Sequence, residues 1–264
     1  MQAVILSAGQ GRRLLPHTAE LPKCLLKIAG RTVLERQLLA LEAAGVKRAT
    51  VVVGFGAAQV EAELETCRPA GFETFTIHNT LYDSTDNLIS CLTARSAMQQ
   101  DFLLINGDTL FQPDIVRRLL GSRPAPISMA IANKPAYDAD DMKVQIRDGR
   151  VRRVGKDLPP DATDGEAIGL SVMRGDGPRL FVDSLEQIAS QPDGHARWYL
   201  SAVNVLAGIG NVESVAITGL QWIEIDYPQD LEKARASVPS WPAVSGALGK
   251  TRRSGTTPEA DLAL

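Results

Sequence analysis

Cysteine is scarce in this chain. Cys24, Cys67 and Cys91 lie far apart, form no Cys-x-x-Cys pair and are odd in number. That pattern argues against a disulfide framework or a thiolate metal site and points to a reducing cytoplasm. Histidine is equally sparse, and the spacing of His17, His78 and His195 fits no metal motif, so none receives a role. Neither sign of charge dominates: 28 Lys+Arg face 31 Asp+Glu, a net charge of −3. Without a basic excess nucleic acid is not an expected partner, and any phosphate chemistry must rest on a few placed cations. No apolar run approaches the roughly 20 residues of a membrane span. The opening Met1-Gln2-Ala3-Val4-Ile5-Leu6-Ser7 lacks the basic start and long apolar stretch of a signal peptide and reads as a strand.

What is present is ordinary globular usage, 44% hydrophobic and 22% charged, which rules out a disordered chain, a collagen and a coiled coil. The 264 residues suit one large domain or two small ones. Short apolar runs at 2–7, 49–53, 73–77 and 102–105 predict buried strands. Helical spacing predicts helices at 32–44, 59–65, 87–98 and 113–120. This alternation implies an α/β fold with a parallel sheet and helices on both faces. Ligands of such sheets sit outside the carboxyl ends of the strands, where Ser7 and Asn106 fall.

From about Pro124 the pattern changes. A strand at 127–132 precedes a hairpin, 143–146 and 151–154, flanking Asp148-Gly149. Further strands are expected at 167–173, 214–217 and 222–225, with helices at 180–189, 198–206 and 228–236. Residues 1–237 then form one domain. The Pro-, Gly-, Ser- and Thr-rich stretch 238–264, with no apolar period, reads as a flexible tail or linker.

The most informative stretch is Leu6–Leu25. Gly9 and Gly11 follow a strand, where their backbone, free of side chains, can bend and bring N–H groups close to a polyphosphate. Leu14 stands where a dinucleotide loop needs its third glycine, and no Gly-Lys-Ser/Thr follows, so neither common phosphate loop fits. What remains is a glycine loop followed by Arg12 and Arg13, then a segment stiffened by Pro16 and Pro22 that delivers Lys23. Cations held this way suit a leaving pyrophosphate; a strand-to-helix turn with surface cations is the plainer alternative. Asp108, after Asn106-Gly107 at a strand end, and Asp226, at another, are either Mg²⁺ ligands or turn and cap residues. Asn79, Asp86, Asn87 and Ser90 form a polar cluster suited to a cytosine edge or to capping a helix. Lys143, in a strand between Met142 and Val144, either enters a pocket or alternates outward. Lys156 follows Val154-Gly155, and Glu166 follows Asp164-Gly165. Tyr137, Trp198, Tyr199, Trp222 and Tyr227 offer faces for a quaternary ammonium, or fill the core.

The stretch resembles the signature of the sugar-phosphate nucleotidyltransferase superfamily, Gly-x-Gly-x-Arg-Leu-x-Pro-x-Thr-x-x-x-Pro-Lys, matched by Gly9, Gly11, Arg13, Leu14, Pro16, Thr18, Pro22 and Lys23. The second half is most similar to bacterial phosphocholine cytidylyltransferases and their aminoethylphosphonate relatives. It carries the resemblance in Asp141-Met142-Lys143-Val144, Gly165–Gly169, Trp222–Asp226, and Asn79-x-x-Tyr82 with Asp86-Asn87-x-x-Ser90. Two departures stand out: Asp86 where the family carries Asn, and Leu200 where relatives carry an acid.

The resemblance implies a Rossmann-like nucleotidyltransferase fold, with a mixed, mostly parallel central sheet and a small β-hairpin lobe on the acceptor side. It implies CTP as donor, a small phosphorylated alcohol or phosphonate as acceptor and Mg²⁺ as cofactor, and it allows a homodimer. Asp108 and Asp226 would hold the metal, and Arg13 and Lys23 the pyrophosphate. Leu6, Ala8, Gly9, Gly11, Arg12, Asn79, Asn87, Ser90 and Gly107 would line the nucleotide. Lys143, Lys156, Glu166 and Tyr199 would face the acceptor, with Lys143 on its phosphate. The alternatives are a sugar-1-phosphate or inositol-phosphate nucleotidyltransferase using another NTP and, in another class, a non-catalytic nucleotide-binding regulatory module.

Overall fold

The computed structural model describes residues 1–242 and 244. In chain order the strands are β1 (Gln2–Ser7), β2 (Lys27–Ile28), β3 (Arg31–Thr32), β4 (Arg48–Val53), β5 (Glu73–His78), β6 (Phe102–Asn106), β7 (Thr109–Phe111), β8 (Ile127–Ala132), β9 (Lys143–Arg147), β10 (Arg150–Gly155), β11 (Gly165–Met173), β12 (Val212–Ala216) and β13 (Trp222–Glu224). The helices are α1 (Val33–Ala43), α2 (Ala57–Cys67), α3 (Asn87–Thr93), α4 (Pro113–Leu120), α5 (Gly177–Ala189), α6 (Leu200–Gly208) and α7 (Pro228–Ser237).

Successive side chains of a strand point to opposite faces, and that period sorts the apolar runs into two cores. Ala3 and Ile5 of β1, Val51 of β4 and Leu103 of β6 face one core with Leu34, Leu38, Val60 and Ile115 of α1, α2 and α4. Val4, Val52 and Leu104 face the other with Leu88, Phe181, Leu185 and Val203 of α3, α5 and α6. Both faces of the sheet are covered, so its central strands read as unbroken apolar runs.

The main sheet runs β5-β4-β1-β6-β11-β8-β12-β10-β9. The first four strands are parallel, and β12 is parallel to β8. Strands β11 and β10 run against their neighbours, giving the expected mixed, mostly parallel sheet. Asp148 (φ 54°) and Gly149 (φ 75°) turn the β9–β10 hairpin, both left-handed as a two-residue loop of this kind needs. The hairpin joins the far edge of the sheet through β12 and β11.

Several element ends differ from expectation by two residues or more. The helix expected to reach residue 98 stops at Thr93, and a 3₁₀ turn over Arg95–Met98 takes over. The helix expected from Trp198 starts at Leu200, leaving Trp198 at its mouth. Val238–Ser240 form a 3₁₀ turn, and Val238 and Trp241 pack against a third core containing Leu14, Ile28, Ile225 and Leu231. The packed body therefore runs beyond residue 237, and most of the expected tail lies outside the described residues. Among the described residues no helix is long and apolar enough to cross a membrane. All three cysteines are free and buried, and burial pushes their thiols up, Cys24 and Cys67 to about 12.

The chain leaves β1 for β4 on one side and later places β6 on the other. The loops after β1 and β6 thus flank one crevice at the carboxyl ends, the usual ligand position of such sheets. Gly107 closes the crevice floor. Its N–H donates to the Leu6 carbonyl at 2.9 Å, and a Cβ there would lie 2.4 Å from that oxygen.

Candidate active site

The β1 loop presents backbone rather than side chains. The N–H groups of Gly9, Gln10 and Gly11 have no acceptor among the described residues. Gly11 is left-handed (φ 76°), and its carbonyl accepts from Leu14 N–H and Thr18 Oγ1. That bend leads to Lys23, which opens a 3₁₀ turn after Pro22. The Lys23 methylenes pass directly beneath Gly11, where a Cβ would meet them at 3.0–3.2 Å.

Lys23 Nζ lies 2.7 Å from Asp108 Oδ2 and 2.5 Å from Asp226 Oδ1, while Arg13 reaches Asp226 Oδ2 at 3.4 Å. The two acids meet because β7 and β13 pair antiparallel, with Thr109 opposite Glu224. One step further Ile225 N–H donates to the Asp108 carbonyl, which sets Asp108 beside Asp226. Asp226 does not cap α7. Tyr227 is its N-cap, and Asp230 in the first turn accepts from the N–H groups of Asp226 and Tyr227. Burial opposes the charge on Lys23, but Asp108 and Asp226 outweigh it and hold the ammonium above its usual range.

Sequence reading passed over Glu224. It ends β13, two residues before Asp226, and an acid that close to a strand-end carboxylate was the available signal. Burial, together with the charges of Asp108 and Asp226, raises its carboxyl to about 8.

Two cavities meet at this cluster. One of about 200 Å³ is lined by Leu6, Gly9, Gly11, Lys23, Asn87 and Gly107. The other, about 270 Å³, lies beyond Asp108 and Asp226 and is lined by Arg13, Asp86, Asp140, Lys156 and Trp198. In this second cavity Lys156 Nζ stands 4.8 Å from the centre of the Trp198 ring and donates to Asp140 at 3.1 Å. Trp198 Nε1 donates to Asp86 Oδ1 at 3.1 Å, and Tyr227 donates its hydroxyl to Asp140. Glu166 sits in an adjoining cavity of about 470 Å³ with its carboxylate 2.7 Å from Lys134, which also bonds Asp141. Burial raises the Glu166 carboxyl to about 7 against the pull of Lys134.

Several expected site residues are placed elsewhere. Asn79 donates to Ser90 Oγ and accepts from Leu81 N–H, so this buried pair ties strand to helix, and neither residue lines the two cavities. Ala8 is buried beside the loop, with its carbonyl taken by Phe55 N–H. Arg12 is exposed and lines neither cavity. Lys143 is 4% exposed and donates to the Lys156 carbonyl; it supports the Lys156 turn from below. Tyr199 is core, its ring against Phe181 and its hydroxyl on Asn106, so the exposed aromatic of the pair is Trp198. Asn87 keeps its place at both cavities while its Oδ1 accepts from Tyr199 N–H.

A glycine loop with open N–H groups and a lysine between two strand-end acids thus share one crevice at the carboxyl ends of an α/β sheet. The chain belongs to the MobA-like NTP transferase domain family, whose model matches residues 3–144. It is 31% identical over 89% of its length to the CMP-5'-(3-aminopropyl)phosphonate synthase of Streptomyces rubellomurinus, covering 38% of that protein. It is 26% identical over 88% of its length to the CTP:phosphoglutamine cytidylyltransferase of Campylobacter jejuni, covering 98% of it. Among solved structures, the inositol-1-phosphate CTP transferase from T. maritima superposes with a TM-score of 0.75 at 21% identity, covering 92% of this chain and 97% of that one. Three of the curated relatives are longer proteins, of which the chain spans between 38% and 55%.

Proposed function

We propose that this protein is a cytidylyltransferase. It would join CTP to a small phosphorylated alcohol or phosphonate and release pyrophosphate, leaving a CDP-linked or CMP-linked product. The observation that carries this reading is the convergence of the Lys23 ammonium, Asp108 and Asp226 beside the open N–H groups of the glycine loop. Relatives whose names carry CMP or CTP support the choice of nucleotide.

An oxygen of the acceptor's phosphate or phosphonate attacks the α-phosphorus. The bond from that phosphorus to the oxygen bridging to the β-phosphate breaks, and the electron pair leaves with pyrophosphate. No covalent enzyme intermediate is needed, so catalysis is positioning and charge neutralisation. The N–H groups of Gly9, Gln10 and Gly11 face the phosphates, and Arg13 and Lys23 hold the departing pair. Asn87 and Asn106 line the passage between the nucleotide and acceptor sides. Lys156, carried by the turn that Lys143 supports, meets the acceptor.

Mg²⁺ fits this donor set. Asp108 and Asp226 offer only oxygen, and both carboxylates point at one spot. Among the described residues no three His, Cys, Asp or Glu side chains form a ready cage. Two carboxylates leave the other positions to phosphate oxygens and water, as Mg²⁺ prefers. When bound, the ion would neutralise charge on the reacting phosphates.

The acceptor side supports a cationic head group. Trp198 is 39% exposed, with Asp86 and Asp140 beside it, and an ammonium already lies over its ring. Pyrophosphate release measured with four nucleotides and several acceptors tests the reading. CTP with 2-aminoethylphosphonate or phosphocholine should turn over, whereas inositol phosphate and sugar 1-phosphates should not. Nucleotide binding with no release for any acceptor would instead make the chain a regulatory binding module.

A further inference from the structure

The point where Asp108 and Asp226 converge is taken by a side chain of the protein itself. Lys23 Nζ donates to both carboxylates, at 2.7 and 2.5 Å, and its side chain is only 12% exposed. The methylenes reach that point by lying against the Cα of Gly11, so the loop that faces the phosphates also shelters the lysine. A divalent ion held by the same two carboxylates would need the space that the ammonium occupies. An ammonium and a dication cannot share that space, because their repulsion at contact is strong in a partly buried site.

We propose that Lys23 is the resident counter-ion of the metal position, and that loading the site is an exchange in which the incoming polyphosphate draws the ammonium away from Asp108 and Asp226. This rests on the proposed function for the identity of the ligands. The exchange makes nucleotide and metal mutually dependent. Phosphates give Lys23 a new anionic partner, and only then are both carboxylates available. Free enzyme binds a divalent ion weakly, and each ligand strengthens the other by the same factor. Lys23 thus keeps two half-buried acids from facing each other unpaired before the ligands bind.

The test measures binding of Mn²⁺ alone, without nucleotide, by the electron-spin signal of the free ion. Wild-type protein, Lys23→Met, Lys23→Gln and the double variant Lys23→Met/Asp108→Asn are compared. Removing the competing charge should tighten Mn²⁺ binding by about tenfold or more, and the double variant should lose that gain. Thermal unfolding gives a second reading on the same samples. Millimolar Mn²⁺ should raise the Tm of both single variants more than that of wild type. Unchanged or weaker Mn²⁺ binding in both single variants would overturn the exchange, as would a gain that survives loss of Asp108. Pyrophosphate release by wild type reports separately on the proposed reaction, so the exchange can fail while that reaction stands.

Discussion

Gly9 and Gly11 sit two residues apart in one loop, yet the structure makes opposite demands on them. Gly11 is left-handed at φ 76°, where an L side chain costs about 1–2 kcal/mol. Its added Cβ would also press the Lys23 methylenes at 3.0–3.2 Å. Those methylenes are flexible and would yield, but only by shifting the ammonium off Asp108 and Asp226. Gly11→Ala should therefore cost about 1–3 kcal/mol, and at roughly 2–4 °C per kcal/mol for a chain of this size the Tm should fall by about 2–12 °C. Gly9 is not left-handed, and a Cβ there meets nothing within 4 Å. Gly9→Ala should leave Tm within about 1 °C of wild type, or raise it slightly by restricting the unfolded chain. It should still raise the KM for CTP, because the new methyl stands where the phosphates approach. Differential scanning fluorimetry and steady-state pyrophosphate release on both variants separate the two effects. An equal Tm loss in both, or none in Gly11→Ala, would refute the argument that backbone geometry and the Lys23 contact distinguish these glycines.

Replacing Asp108 by Asn should lower turnover by about a hundredfold or more while circular dichroism stays native, since Lys23 keeps Asp226 as its partner; near-normal rates would remove Asp108 from the metal assignment. Trp198→Ala should raise the KM of an ammonium-bearing acceptor several-fold, about what a cation–π contact of 0.5–2 kcal/mol supplies, and leave the KM for CTP unchanged; a matching rise for both substrates would argue against a head-group role. Glu166 predicts a pH effect. Its carboxyl is raised in the fold from 4.5 to about 7, so its contribution to stability is full below pH 4.5 and is lost as pH rises through about 7. The Tm of wild type minus that of Glu166→Gln should therefore be larger at pH 5 than at pH 8, and a flat or inverted difference would count against the buried carboxyl.

Most strands and helices were legible because apolar runs and helical spacing are local; the two- and three-residue strands β2, β3 and β7 were too short to show a period. β1 (Gln2–Ser7), α4 (Pro113–Leu120) and β8 (Ile127–Ala132) fall where the sequence placed them. The glycines, Arg13, Lys23 and the two acids were legible as residues, since a phosphate loop and strand-end carboxylates carry short signals. Their meeting was not. Lys23 touches Asp108 and Asp226 only because β7 pairs with β13 across more than one hundred residues of chain. No local pattern states a pairing at that separation.

Burial was the other hidden quantity. Tyr199 and Trp198 are adjacent and similar in chemistry, yet the start of α6 turns Tyr199 into the core and leaves Trp198 at the cavity. Lys143 alternates as a strand residue must, but the face it turns to is covered, so its ammonium meets a backbone carbonyl. The sequence by itself determined which residues could do phosphate chemistry. Only the tertiary structure decided which of them share a cavity, because side-chain contact depends on sheet register and on which faces are covered.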